Sequence, residues 1–434
     1  MALIDARGIP ADQTSVDRLS EQSLDYRLID TQDASQVTAF QRAMSRGFLG
    51  AEPSSAALEE SLPTLRARRN IGVFEGAAVG GSAPVATIDS WVTPLTVPGG
   101  AEIGMWAISG VTVAGTHRRR GIARALLEGE LRAAVSAGVA VAGLTVSEAT
   151  IYGRYGFGSA VPVARLTVDT RRAGWAGPEP RGRLEYVERE RLAADIGAVH
   201  ERARATRPGR IPGWSTRWEG IAGLASADTE REKVRGVHYL DAEGVLQGVL
   251  AYTVVEKEGS FRFGLHIRLL VADTPEALAA LWRFALQHDL VDDVVADLRP
   301  LDDPLPWLVR DTRGVTQEVH DHGWLRILDV AEALTARRFS APLDLVLRVE
   351  DALGFAAGDW LLRVDDTGRA TVDRVDDDAP DVTLDVSALS SLYAGGVRAA
   401  ALHGAGRIDA AAPVVDALDR AFASFPTPSL DIWY

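Results

Sequence analysis

The chain has no cysteine in its 434 residues. That excludes a thiol nucleophile, a disulfide framework and a cysteine-ligated zinc. Histidine is scarce as well, at eight residues, and no group of them has metal-ligand spacing. The one close pair, His320 and His322, reads as two loop residues, so no metal is expected. No apolar run approaches the roughly 18 residues that a membrane-spanning helix needs. Basic surface is also short. Lys and Arg number 46 against 60 Asp and Glu, a net charge of −14. Such a balance argues against nucleic acid or an anionic membrane as partner and would suit a cationic one. Residues 1–21 lack a basic-then-apolar leader pattern and read as a flexible extension.

What is present is a globular composition, with 47% hydrophobic and 24% charged residues. The length exceeds what one hydrophobic core supports, so two or three domains are expected. The chain is organised around residues 111–158. The stretch begins Val111-Thr112-Val113-Ala114-Gly115-Thr116-His117-Arg118-Arg119-Arg120-Gly121-Ile122-Ala123-Arg124. It reads as a strand, a turn and a helix start. Free N–H groups and the positive end of the helix dipole then face the turn, with arginines beside them, which makes an anion site. Gly121 lets a phosphate approach the backbone. Leu127, Leu131, Ala134 and Val135 fall at helical spacing and mark the buried face of the helix. A strand at 139–146 and a short helix at 149–155 follow.

Before this stretch the pattern predicts a strand at 26–29, helices at 33–46 and from about Ser54, and strands at 71–74, 85–92 and 102–113. After it come a strand at 164–169 and a Gly/Pro-rich linker at 173–183. A second α/β unit has strands at 184–187, 234–239, 245–255, 261–271 and 293–299, with helices at 190–204 and after Thr274-Pro275. Its order repeats the late half of the first unit. The turn before its second helix is acidic, with Asp273 and Glu276, and lacks the arginine loop. A third unit runs from strands (343–349, 360–364, 370–375, 382–386) to helices (387–393, 397–403, 412–421), an α+β order.

Two linked motifs carry a family resemblance. The spacing Arg118-x-x-Gly121-x-Ala123 resembles the coenzyme A pyrophosphate loop of GNAT acetyltransferases. Together with Ser147-Glu148-Ala149-Thr150-Ile151-Tyr152-Gly153-Arg154-Tyr155-Gly156-Phe157-Gly158, it resembles the enhanced intracellular survival (Eis) family of N-acetyltransferases. The resemblance covers residues 24–434. It implies two GNAT-like mixed-sheet domains, α/β, followed by a sterol-carrier-protein-like α+β domain. The expected divisions are a flexible extension 1–23, an acetyl-CoA-binding domain 24–172, a degenerate second GNAT domain 173–315 and the last domain 316–434. In the GNAT fold the sheet splays between the strand before the cofactor helix and the strand after it, and acetyl-CoA lies in the split.

The implied site follows residue by residue. The backbone of Val111, Thr112 and Val113 would pair with the pantetheine arm; the plain alternative for these residues is core strand. Arg119, Arg120, Gly121, Ile122, Ala123 and Arg124 would hold the pyrophosphate. Ser147 and Glu148 resemble further cofactor contacts, although Glu148 reads equally well as a helix N-terminal carboxylate. The family places its general acid at Tyr152, where sequence alone would favour a core tyrosine; Tyr155 reads as packing. The family's general base is the C-terminal carboxylate, here that of Tyr434, and the tail 429–434 is apolar and approached through Pro426 and Pro428. The implied co-substrate is acetyl-CoA, with no metal. The implied acceptor is a small-molecule or peptide amine of the aminoglycoside, polyamine or lysine kind. The implied assembly is a homohexamer, and the expected place is the cytoplasm. Family members acting on aminoglycosides place carboxylates in the amine site, whereas Trp433 and residues 47–50 are not acidic here. Asp431, Glu52, Glu59 and Glu60 are the candidates to replace them. A second reading is a non-catalytic acetyl-CoA- or lipid-binding protein on the same scaffold; Tyr152 and the aromatic terminus favour the enzyme.

Overall fold

The structure is a computed structural model that describes residues 3–76, 83–259, 261–376 and 379–434. By its internal contacts the chain forms two units. One comprises residues 1–160, 323–423 and 434, and the other residues 161–322 and 424–433.

In the first unit α1 (Gln13–Ser20) precedes β1 (Leu24–Leu28), α2 (Ala34–Gly47), α3 (Ser55–Arg66), β2 (Arg69–Glu75), β3 (Ala86–Thr96), β4 (Glu102–Val113), α4 (Ile122–Ser136), β5 (Val141–Thr145) and α5 (Ala149–Tyr152). Each of the first three helices starts on an acidic or hydroxyl cap: Asp12, Asp33 and Ser54 accept from backbone N–H groups of the first turn. Strands β1 to β4 pair antiparallel in sequence order, and β5 then joins β4 in parallel.

Residues 3–21 are not a flexible extension; Met1 and Ala2 lie outside the described residues. Asp12 caps α1, Leu19 is fully buried, and Ser15 Oγ donates to the Ala125 carbonyl at 2.7 Å. With α1 on one side of α4 and the sheet on the other, Glu128 and Glu130 are buried together with Leu127 and Leu131. Val135, expected inside, is exposed. Glu130 accepts from Arg69 Nε at 3.0 Å, from Trp106 Nε1 at 3.2 Å and from Ser90. This ion pair is fully buried, so removing one partner would strand the other charge.

The chain changes unit within β6 (Gly158–Asp169), not at the Gly/Pro-rich stretch. That stretch is no free linker: Trp175 bridges to Val309, and the Ala176 N–H donates to the Leu308 carbonyl at 2.9 Å. The second unit continues with α6 (Thr170–Ala173), β7 (Arg183–Val187), α7 (Arg189–Arg204), α8 (Ser215–Ile221), β8 (Arg235–Leu240), β9 (Leu246–Glu256), β10 (Phe263–Ala272), α9 (Pro275–Leu286) and β11 (Val291–Arg299). Its strand order is β6-β11-β10-β9-β8-β7. Helix α9 starts on the Thr274 cap with Pro275 at its first position, and its face of Leu281, Trp282 and Ala285 is fully buried. The meander expected from sequence is present as β8, β9 and β10; α8 was not legible there.

In this unit β10 and β11 pair in parallel only from Phe263 to Ile267. Beyond that point the buried Arg299 fills the opening. Its Nη1 donates to the Leu270 carbonyl at 2.7 Å, and Asp303 holds its Nε and Nη2 at 2.8 and 2.7 Å. At the neighbouring turn Glu276 accepts from the Arg181 N–H at 2.6 Å and from the Tyr239 hydroxyl at 3.0 Å. A plugged gap and an acidic turn replace the arginine loop of the first unit.

Residues 424–433 are anchored in the second unit. The Ser429 N–H donates to the Pro208 carbonyl at 2.9 Å. Asp431 lies 3.0 Å from His200 Nε2 and 3.2 Å from Arg210 Nη2, all buried. Burial opposes the Asp431 charge, but Arg210 and His200 outweigh it and hold the carboxyl far below its usual range. Asp431 is therefore a tail anchor and not the amine-site acid considered above. His320 and His322 lie not in a loop but on β12 (Val315–Ile327). His322 Nε2 donates to the Ile432 carbonyl at 3.0 Å, and its ring meets Trp433 edge-on with centroids 4.4 Å apart.

Burial pushes the His322 imidazole down to about 4. The unfolded chain binds this proton near pH 6.5, the folded chain only near 4. Stability therefore falls as pH drops through that window, by up to about 3 kcal/mol. An NMR titration of the ring, assigned by its loss in His322→Gln, should find it neutral at about pH 5.5. A midpoint near 6.5 would contradict the burial.

The chain returns to the first unit within β12, whose residues 323–327 pair antiparallel with β5. Then follow α10 (Val330–Ala336), β13 (Leu343–Glu350), β14 (Gly358–Val364), β15 (Ala370–Val375), β16 (Val382–Asp385), α11 (Val386–Tyr393), α12 (Ala399–Gly404), β17 (Ile408–Ala410) and α13 (Ala412–Phe422). The five strands form a sheet of order β15-β14-β13-β16-β17.

Candidate active site

The site begins with a fault in β4. Gly110 has φ 62°, and the register with β3 shifts between Thr87 and Asp89. Two residues of β4 there oppose one of β3, a bulge that needs a left-handed residue and strengthens the local twist. A Cβ at Gly110 would lie 2.5 Å from Asp89 Oδ2, so the position is closed to side chains. The parallel ladder of β4 with β5 runs only from Met105–Val141 to Ala107–Gly143. Past it the strands part, and alternate backbone groups of Val111 to Val113 face the gap instead of a neighbouring strand.

A cleft of about 910 Å³ occupies this split. Val111, Thr112 and Val113 form one wall; Ser147, Glu148, Ile151, Tyr152 and Tyr155 form the other. At its mouth lie Arg118, Arg119, Gly121, Ile122, Ala123 and Arg124. Arg119 and Gly121 both have positive φ, 62° and 75°, which curls the loop before α4. A Cβ added to Gly121 would meet no atom within 4 Å, so the space before the loop is open. This loop and free strand edge fit a pyrophosphate and an amide-bearing arm.

Not every expected residue lines the cleft. Arg120 points away: its Nη2 donates to the Gln22 carbonyl at 3.1 Å, and its Nη1 lies 3.8 Å from Glu75. Thr112 turns its hydroxyl to Thr87 at 2.7 Å. Glu148 caps α5, accepting from the Thr150 N–H and hydroxyl at 3.3 and 2.7 Å, and these bonds hold its carboxyl below the usual range. Burial, and secondarily Tyr155, raise the Tyr152 phenol above its ordinary value near 10, so it stays protonated at neutral pH. Its ring meets Phe157 edge-on at 6.1 Å.

Tyr434 does not line the cleft. It belongs by its contacts to the first unit. Thr145, the last residue of β5, donates its hydroxyl to the Tyr434 carboxyl-end oxygen at 2.5 Å and accepts from the Tyr434 N–H at 3.2 Å. The Tyr434 ring packs edge-on to Trp91 at 5.5 Å. Glu52 is exposed and paired with Arg42 at 3.0 Å, and Glu59 and Glu60 are exposed on α3.

Several contributors were not read from sequence. Glu128, at the cleft, gathers Arg124 at 2.5 Å and Arg18 at 3.4 Å. Arg326 is fully buried, donates to the Tyr155 carbonyl at 2.8 Å and clasps Asp351 with Nη2 at 2.7 Å from each oxygen. It braces the backbone beside Tyr152, while Ala352 and Leu353 complete the wall. The available signal was one arginine inside the apolar run Trp324-Leu325-Arg326-Ile327-Leu328.

Known proteins share this architecture. Acetyltransferase (GNAT) domain models match residues 26–160 and 212–327, and a sterol carrier protein domain model matches 330–430. Two such domains and a split sheet define a GNAT-type N-acetyltransferase, for which acetyl-CoA is the co-substrate. An uncharacterised N-acetyltransferase of Streptomyces avermitilis is 35% identical over 394 residues, 87% of this chain and 92% of that protein. The N-acetyltransferase Eis of Mycobacterium tuberculosis is 33% identical over 342 residues, 76% and 81% of the two chains. The crystal structure of Eis1 from Mycobacterium abscessus superposes with a TM-score of 0.78 at 30% identity, covering 95% of this chain and all of that one. The chain belongs to the Eis family of N-acetyltransferases.

Proposed function

We propose that the enzyme transfers acetyl directly from acetyl-CoA to a primary amine, with the Tyr152 phenol as general acid and the Tyr434 carboxylate as general base. The amine nitrogen attacks the thioester carbonyl and gives its proton to the carboxylate. The C–S bond breaks, and the departing thiolate takes the phenol's proton. The observation that carries this reading is the interrupted β4–β5 ladder, with the arginine loop at its mouth and Tyr152 on its wall. The free edge at Val111 to Val113 pairs with the pantetheine arm as an added strand, and the loop 118–124 takes the pyrophosphate. Ser147 and Glu148 flank the arm.

The acceptor is an aminoglycoside-like, polyamine or lysine amine. The two acids on the cleft are already engaged, Glu128 by arginines and Glu148 by Thr150, which favours the smaller or more apolar members of that class. Homohexameric assembly and a cytoplasmic place belong to the same reading.

Replacing Arg119 and Arg124 together by alanine should raise the KM for acetyl-CoA at least about tenfold, because two charge-assisted contacts are removed. The KM for the amine should move little. Steady-state kinetics with each substrate varied in turn test this; an unchanged acetyl-CoA KM would remove the loop from the cofactor site.

A further inference from the structure

The loop 118–121 holds a non-glycine residue, Arg119, in the left-handed region. Such a conformation is unfavourable for a residue with a side chain and persists only where its surroundings hold it. The next residue, Arg120, is gripped twice by one residue of the N-terminal segment. Gln22 Nε2 donates to the Arg120 carbonyl at 3.2 Å, and Arg120 Nη2 donates to the Gln22 carbonyl at 3.1 Å. Glu75 adds a second hold on the loop, 3.3 Å from His117 Nε2 and 3.8 Å from Arg120.

The same segment fastens the helix that the loop opens. Ser15 Oγ binds the Ala125 carbonyl at 2.7 Å. Asp12 accepts both Arg132 Nε and Nη2, at 3.0 and 2.8 Å. Arg18 reaches Glu128, which in turn holds Arg124 at 2.5 Å. Residues before 26 lie outside the matched acetyltransferase domain.

We propose that residues 12–22 are a positioning segment for the coenzyme A loop, and that Gln22 with Arg120 is its working pair, setting the loop's N–H groups for the pyrophosphate without touching it. Arg120 is thereby a positioning residue, not a phosphate ligand. The inference rests on the assignment of the cleft to acetyl-CoA.

The test compares acetyl-CoA with acetyl-pantetheine, which lacks the pyrophosphate, on the full chain. Gln22 is exposed, so Gln22→Ala should fold with an unchanged melting temperature. It should raise the KM for acetyl-CoA about three- to tenfold, the range of one lost hydrogen bond. The KM for acetyl-pantetheine and kcat at saturation should stay put. Arg120→Ala removes the other bond, from Arg120 Nη2 to the Gln22 carbonyl, and should give a similar split; the double variant loses both bonds and should raise the acetyl-CoA KM further, with acetyl-pantetheine still unmoved. A far larger loss in Arg120→Ala than in Gln22→Ala would make Arg120 a direct phosphate contact and overturn the proposal. So would an unchanged KM in Gln22→Ala, or an equal loss on both thioesters. The Arg119/Arg124 variant separates the two levels: if it also leaves acetyl-CoA unaffected, the cleft assignment fails; if only Gln22→Ala is silent, the positioning role alone fails.

Discussion

Adding a short peptide after Tyr434 should lower kcat by about 10²–10⁴, the usual worth of a general base, while acetyl-CoA still binds. The extension turns the α-carboxylate into an amide, which cannot accept the amine's proton. An α-carboxyl has a pKa of about 3.3–3.7 in water, too weak a base for an amine. Withdrawal from water beside aromatic rings raises such a value. The structure fixes where the Tyr434 carboxylate sits: the ring lies against Trp91, and Thr145 binds both the terminal oxygen and the Tyr434 N–H. The preceding residues have little freedom, since Ser429, Asp431 and Ile432 are each bonded to neighbours. Tyr434→Phe keeps the carboxylate and the ring and should retain most activity, whereas deleting Trp433 and Tyr434 should behave like the extension. Single-turnover rates with mass-verified protein decide this, with titration of acetyl-CoA as the control. Native turnover by the extended chain would assign the base to a side chain or water.

Tyr152→Phe should produce a loss of the same order, about 10²–10⁴ in kcat, with nearly unchanged stability. The substitution removes one hydroxyl and leaves the ring that meets Phe157. Because burial raises the phenol's pKa above its ordinary value, the acid stays protonated through neutral and mildly alkaline pH. The wild-type rate should therefore show no alkaline fall from this group below about pH 10. Tyr155→Phe is the comparison. Tyr155 also borders the cleft, and its variant should lose far less. Equal losses in the two would move the acid to another group.

The contrast between what the sequence disclosed and what it hid follows from the range of the forces involved. Strand β4 was legible end to end, and the helix starts at Asp33, Ser54 and Thr274 lie where the capping residues predict. Those are local interactions, written within a few residues. The loop's place before α4 was legible for the same reason. Misread features depended on partners distant along the chain. Arg120 looked like its neighbours in an arginine run, and Gln22, 98 residues earlier, together with Glu75 turns it away. Residues 3–21 looked polar and loose because α1 is held by a buried leucine, a cap and ion pairs to α4 that no local pattern announces. Asp431 looked free to serve an amine until Arg210 and His200 were seen beside it. Val135 kept helical period with the core, but α4 turns that edge outward.

The central claim is that this chain moves an acetyl group from a thioester in the β4–β5 split to an amine. The most direct measurement is amine-dependent release of the coenzyme A thiol, with the acetylated product identified by mass, across aminoglycosides, polyamines and lysine peptides. At least one class should yield thiol and acetyl-amine in equal amounts, and Tyr152→Phe should abolish both together. Tight acetyl-CoA binding with no amine-dependent thiol release from any class would contradict the account.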